Sequence, residues 1–429
     1  MEEILRLVGK YVEELHVSKQ WEPGRDLVQY AGPYYDSKEY IAAVKTLLGE
    51  WLVLGNEGVK FERKFCKLLG KKNGVFTNSG SSANLLMMAA VASKNGHNLK
   101  GAKVITPAAG FPTTLNPIIQ NGMEPVFVDI ELDTLNLNTD QLADKDGEIL
   151  TFAHVLGNPP NMDKVMDVVE KKKLVFLEDC CDALNSTYDG KLLGSFGYMS
   201  SCSFYPAHHI TCGEGGFVAM DSTDTERLVR SLGGWGRGCY CQGKANMLEN
   251  GTCGCRFSNW LPSLPDEIFD HKYVYSEVGY NLKPIEVQAA MGLVQIEKLG
   301  EITRRRKENY TLLHKVFSQY DTFHLHSAQE KADPNWFAFP VTLKDGCGFK
   351  RNDLCQFFES KKIQTRPYFA GAYMLQPAYE GMFKDRIEDF PVARKVTTDT
   401  FFLGVSPVIT QEKIDYIEEM LFEFMETRT

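Results

Sequence analysis

The stretch Ser203-Phe204-Tyr205-Pro206-Ala207-His208-His209-Ile210-Thr211-Cys212-Gly213-Glu214-Gly215-Gly216 runs directly into the apolar residues Phe217-Val218-Ala219-Met220. A glycine-rich turn followed by a short apolar run reads as a loop feeding a strand. The paired histidines stand at its centre. Imidazole titrates near pH 6.5, so His208 is a candidate base, although an isolated His-His pair is more readily a surface or core pair.

Outward from this stretch the chain alternates short apolar segments with helical patterns. Gly74-Val75-Phe76-Thr77-Asn78 reads as a strand, Ser79-Gly80-Ser81-Ser82 as a tight turn, and Ala83 to Ser93 as an apolar helix. Such a turn aims backbone N–H groups at one spot, where the helix dipole favours an anion. Further strands are expected over 104–106, 125–130, 148–152 and 174–178, with helices between them, a pattern that argues for a mostly parallel sheet covered on both faces. A long helix over 285–318 leads to a smaller C-terminal α/β part, giving a large domain over 1–300 and a small one over 301–429. The N-terminal residues Ile4, Leu7, Val8, Tyr11, Val12 and Leu15 recur at helical spacing and predict an ordinary packing helix.

The frame Ser203-Phe204-x-Pro206-x-His208, with Gly213-Glu214-Gly215-Gly216 after it, resembles the cofactor-anchoring segment of the DegT/DnrJ/EryC1/StrS sugar aminotransferase family. That resemblance implies fold type I, the pyridoxal-phosphate-dependent transferase fold. In the family a lysine fills the slot that His208 occupies here. A lysine amine tethers the cofactor covalently and then shuttles protons; imidazole cannot form that stable link, yet it can take up a proton. The departure is similar to that of the nucleotide-sugar 3-dehydrases. It implies a non-covalently held pyridoxamine or pyridoxal 5'-phosphate, with His208 as the catalytic base.

The same resemblance implies roles for other residues. Gly80, Ser81 and Ser82, helped by Ser203, would hold the cofactor phosphate. Phe111 in Gly110-Phe111-Pro112-Thr113-Thr114 would stack on the pyridine ring, and Asp179 would pair with its protonated nitrogen. Asp182 replaces the family's glutamine near the cofactor hydroxyl. Asn281, in Gly279-Tyr280-Asn281, would reach the phosphate in a neighbouring subunit, implying a homodimer with shared sites, and Arg366 would clamp a substrate diphosphate.

Eleven cysteines form an odd total that fits poorly with a fully paired disulfide framework. Cys181, Cys239, Cys241 and Cys253 are spaced in a way that resembles the iron-sulfur ligands of the CDP-4-keto-6-deoxyglucose 3-dehydrases. Four thiolates suit a [2Fe-2S] cluster, and a structural zinc site is the rival reading. Cys255 is the alternative fourth ligand. Cys66, Cys202, Cys212, Cys347 and Cys355 read as small core residues.

A net charge of -9 argues against a general nucleic-acid partner, and 43% apolar with 24% charged residues is ordinary for a globular protein. An acidic Met1-Glu2-Glu3 start and the shortness of the apolar runs lead us to expect a cytoplasmic protein without a membrane segment. The expected reaction is loss of the C3 hydroxyl from a nucleotide-linked 4-keto-6-deoxyhexose, CDP-linked if the cysteine pattern holds, with electrons from an NADH-dependent iron-sulfur flavoprotein reductase. A colitose-type, glutamate-dependent 3-dehydrase without a cluster is the first alternative. A cofactor-binding homologue without activity is the second.

Overall fold

The computed structural model describes residues 1–17, 20–239 and 256–427. Its large sheet has seven strands: Asn73–Thr77 (β1), Lys103–Pro107 (β2), Glu124–Val128 (β3), Ile149–Ala153 (β4), Val175–Asp179 (β5), Met199–Ser203 (β6) and Gly216–Met220 (β7). They lie in the order β1-β7-β6-β5-β4-β2-β3. Only β7 runs against its neighbours, pairing antiparallel with β1 and β6. The expected mostly parallel sheet is therefore present, and both of its faces are covered, which is why β4 and β5 read as nearly unbroken apolar runs.

β6 escaped the sequence reading. Its residues, Met199-Ser200-Ser201-Cys202-Ser203, carry no apolar pattern, yet all are buried between β5 and β7. Tertiary pairing overrides composition here, because buried hydroxyls that find acceptors lose little on leaving water. Ser201 and Ser203 then carry hydroxyls toward the C-terminal ends of the parallel strands, where α/β folds place their ligands.

The helix Gly80–Ala92 packs beneath this end with nine of its 13 residues buried. Its low amphipathicity follows from being enclosed rather than half-exposed. The helix Glu286–Phe317 then carries the chain across to a second, antiparallel sheet of Phe323–Leu325, Ala338–Leu343, Thr400–Gly404 and Arg366–Pro367. The N-terminal helix, Glu2–Val17, departs from expectation: Val12 is buried, while Ile4, Leu7, Tyr11 and Leu15 remain exposed on this chain. Among the described residues no helix is long and apolar enough to cross a membrane.

One buried carboxylate ties the two sheets together. Asp129, just past β3, accepts from the backbone N–H of Val392 at 3.0 Å and of Ala393 at 2.9 Å, in the first turn of the helix Pro391–Asp399. It caps that helix across the seam. Asp129→Ala should leave both donors unsatisfied and cost about 1–3 kcal/mol, read as a lower urea midpoint at unchanged slope.

Candidate active site

A cavity of about 660 Å³ opens at the C-terminal ends of β4, β5 and β6. Ala153, Asp179 and Ser203, the last residue of each strand, form its floor. Gly80 and Ser81 close one side, Phe111 another, and Arg366, Phe369 and Phe402 reach in from the small sheet. Among the described residues no lysine lines it.

Asp179 is 4% exposed, and its neighbours explain how a carboxylate is held there. Asn84 Nδ2 donates to its Oδ2 at 2.7 Å and Thr114 Oγ1 at 2.8 Å, while the Cys181 N–H donates to Oδ1 at 3.2 Å; the Ser201 hydroxyl lies 3.4 Å from Oδ1 and makes its short bond, 2.6 Å, to Asn84 Oδ1, so it holds the amide that holds the carboxylate. A carboxylate has about four lone-pair sites. A cationic ring N–H would supply the opposite charge that a buried carboxylate otherwise lacks. Asn84, Thr114 and Ser201 were not foreseen, being ordinary polar residues scattered on three elements.

One end of the cavity rests on the N-terminus of the helix Gly80–Ala92. A Cβ at Gly80 would stand 2.5 Å from Ser203 Cβ and 3.0 Å from Cys181 Sγ, so the backbone reaches the cavity only because the side chain is absent. Ser79 lines the cavity and caps the helix by accepting from the Ser82 N–H at 3.1 Å. The expectation for Ser82 needs adjustment: its hydroxyl lies 2.9 Å from that of Ser79, turned onto the cap, and Ser82 is outside the lining. Helix N–H groups, a hydroxyl and the positive end of the dipole fit a phosphate monoester.

Phe111 is half-exposed at the cavity wall and meets the Phe369 ring edge-on at 5.8 Å, which leaves a face for a planar ligand. Arg366 stacks over the Tyr30 ring at 4.2 Å, at the mouth. Asn281 is exposed and bridges to Gly234, outside this cavity's lining.

His208 faces the cavity beside Asp182. Its Nδ1 is buried without a hydrogen-bond partner, 3.5 Å from Asp182 Oδ1, which leaves Nε2 as the nitrogen open to a ligand. Asp182 Oδ2 is held by the Leu156 N–H at 3.3 Å. Burial, reinforced by the Arg306 guanidinium, pushes the imidazole down to about 4. Burial and the Asp179 carboxylate push Asp182 up to about 7. At that separation an ionised Asp182 would favour the proton on Nδ1 and so free the Nε2 lone pair, and a protonated Asp182 would favour the proton on Nε2. His209 turns the other way, its Nε2 lying 2.7 Å from the Asn335 carbonyl in the interior.

Cys181 lines the cavity, whereas its neighbour Cys180 is buried in the core behind the sheet. Burial and the Asp179 carboxylate raise the Cys181 thiol well above its ordinary value. Cys239 is half-buried, and Cys241, Cys253 and Cys255 lie outside the described residues. Among the described residues one group of three metal-ligand types converges, His154, Glu178 and Cys180, and it contains neither Cys181 nor Cys239. Its glutamate already accepts from Gly194 and Gly197 N–H at 2.9 and 2.6 Å. Cys66, Cys202 and Cys212 are buried as expected, and Cys347 and Cys355 are half-buried.

A carboxylate at a strand end, a helix N-terminus, the Phe111 ring and, among the described residues, no lysine meet at the site. The model of the DegT/DnrJ/EryC1/StrS aminotransferase family matches residues 34–422. The chain belongs to that family. This family member is 41% identical over 430 residues to the lipopolysaccharide biosynthesis protein RfbH of Salmonella typhimurium, covering 99% of this chain and 97% of the relative. It is 39% identical to the dTDP-4-dehydro-2,6-dideoxy-D-glucose 3-dehydratase of Saccharopolyspora spinosa, over 98% of this chain and 91% of that one. A crystal structure of GDP-4-keto-6-deoxymannose-3-dehydratase with a trapped PLP-glutamate geminal diamine superposes with a TM-score of 0.79 at 26% identity, covering 92% of this chain and 99% of the other. The chain is thus an enzyme on the fold type I scaffold of pyridoxal-phosphate-dependent transferases.

The Asp182–His208 pair makes a pH profile informative. The rate of any proton transfer at Nε2 should rise as pH increases through about 7, as Asp182 ionises. In Asp182→Asn, whose side-chain carbonyl accepts from Nδ1–H at all pH values, that limb should disappear.

Proposed function

We propose that the protein removes the C3 hydroxyl of a nucleotide-linked 4-keto-6-deoxyhexose, using pyridoxamine or pyridoxal phosphate that it holds without a covalent tether. The single observation that carries this is His208 facing a cavity that no described lysine lines. In this reading Asp179 meets the ring nitrogen, Phe111 stacks on the ring, and Gly80 and Ser81 N–H groups with the Ser203 hydroxyl receive the phosphate. Bound as pyridoxamine phosphate, the cofactor supplies an amine that engages the C4 ketone and a protonated ring that draws electrons.

The chain's own residues do the rest. Asp179 keeps the ring nitrogen protonated by opposing its charge. His208 Nε2 takes the proton whose loss expels the C3 hydroxyl, and Asp182 orients the imidazole for that transfer. Phe337, Phe369 and Phe402 exclude water from the reacting end, and Arg366 at the mouth suits a diphosphate. Exposed Asn281 suits contact with a second subunit's site, as in a homodimer.

Glutamate is the partner we favour for restoring the amine, because a related 3-dehydratase was trapped with PLP and glutamate. The electron-transfer reading, with a [2Fe-2S] cluster on Cys181, Cys239, Cys241 and Cys253, a flavoprotein reductase and a CDP-linked sugar, has one observation on its side: the Cys181 thiol stands within the cavity wall. An inactive homologue is disfavoured by the intact hydrogen-bond set around Asp179.

Purified protein with pyridoxamine phosphate, glutamate and a nucleotide-linked 4-keto-6-deoxyhexose should release a 3-deoxy product. Iron and acid-labile sulfide after anaerobic reconstitution, together with turnover that requires reductase instead of glutamate, would transfer the assignment to the cluster form. His208→Lys should gain a borohydride-trappable cofactor and lose dehydration. A wild type that is itself trapped by borohydride would refute the reading.

A further inference from the structure

Arg306, on the helix Glu286–Phe317, is fully buried. A guanidinium in the interior is ordinarily neutralised by a carboxylate, since an unpaired buried charge is costly. Arg306 makes no ion pair among the described residues. Its partners are main-chain carbonyls from two separate segments. Nη2 donates to Ala207 O at 3.3 Å and to His208 O at 3.1 Å. Nη1 donates to Trp336 O at 3.3 Å and to Phe337 O at 2.9 Å.

These two segments enclose the candidate base. The Phe337 ring lies 5.2 Å from that of His208, and both line the cavity. His209 Nε2 adds a stitch between the same segments at the Asn335 carbonyl. Asn335 in turn sits where Gly157, at φ +87°, leaves room: a Cβ there would come within 2.4 Å of the Asn335 carbonyl oxygen. Phe337 N–H donates to Leu156 O at 2.9 Å, and Leu156 N–H donates to Asp182. A closed loop of contacts therefore runs from Arg306 through Phe337, Leu156 and Asp182 back to His208. Its only charged donor is a planar fork with fixed geometry, a shape that lysine does not reproduce.

We propose that Arg306 is a positioning residue that clamps the His208 loop to the Phe337 segment and so sets the imidazole at its working place in the cavity. This rests on His208 being the base. The clamp is built from backbone acceptors, so it acts on where His208 stands whatever ligand the cavity holds. Because the fork arises from the helix that joins the two sheets, the base is placed jointly by both.

Hydrogen exchange of the protein without added cofactor tests the clamp apart from turnover. In Arg306→Lys the amides of residues 207–210 and 336–338 should both exchange about tenfold faster, while those of β5 keep their rates. With substrate, kcat should fall about 100-fold, with KM and the cofactor absorbance titration nearly unchanged, as expected for a misplaced group. Arg306→Met should exaggerate both effects; should it fail to fold, the lysine variant decides. Loosening of one segment alone, of neither, or of the whole sheet equally would overturn the proposal, as would an unchanged kcat. If both segments loosen but wild type shows no dehydration, the clamp stands and the reading of His208 as the base of that reaction fails.

Discussion

A carboxylate buried at the end of a parallel strand is the constraint around which the rest is arranged. Asp179 has lost most of its water, and Asn84, Thr114 and the Cys181 N–H replace that water, with the Ser201 hydroxyl holding Asn84 in place. Each donor fixes something larger than itself. Asn84 ties the helix Gly80–Ala92 to the strand end, Thr114 ties the helix Pro112–Gln120 that follows Phe111 to it, and Ser201 on β6 ties in through Asn84. Satisfying one charge thereby gathers the Gly80–Ser81 turn, the Phe111 wall and the strand that delivers Ser203 around one cavity.

The second organising feature is the polar layer under His208. A lysine in that slot would need a covalent partner or water for its ammonium; an imidazole needs an orienting group for its buried nitrogen. Asp182 supplies it, and Arg306 lies near enough to bias both. The Arg306 guanidinium is itself depressed to about 9 by burial, with the Asp182 charge opposing the shift. Burial dominates the shift of all three groups; Arg306 lowers both the Asp182 carboxyl and the His208 imidazole, and the Asp182 charge in turn raises Arg306. Such coupling is useful where a proton must be held and then released at a defined atom, and it is costly anywhere else, which is why it is concentrated beside the cavity.

Much of the fold could be read in advance because burial on both sheet faces leaves a continuous apolar signature. β4, β5 and β7 announced themselves in this way, and the long helix did so by its length. β6 did not, since three serines in five residues read as a loop until their partners are known. Ser82 stands outside the cavity lining for a related reason. In a run of three serines and a glycine, which hydroxyl caps the helix and which lines a cavity depends on backbone angles that the letters do not carry.

By itself the amino-acid sequence determined the fold class, the family and the chemistry of the slot, because these follow from motif residues that are near one another in the chain. His208 in place of an amine is a covalent fact that no packing can alter. Tertiary structure alone decided the Asp182–His208 contact, the Asn84 and Thr114 bonds to Asp179, and the reach of Arg306 to Ala207, His208, Trp336 and Phe337. Those partners lie tens of residues or more apart in the chain, and hydrogen bonds act only over about 3 Å, so they become visible only once the two sheets have closed on each other.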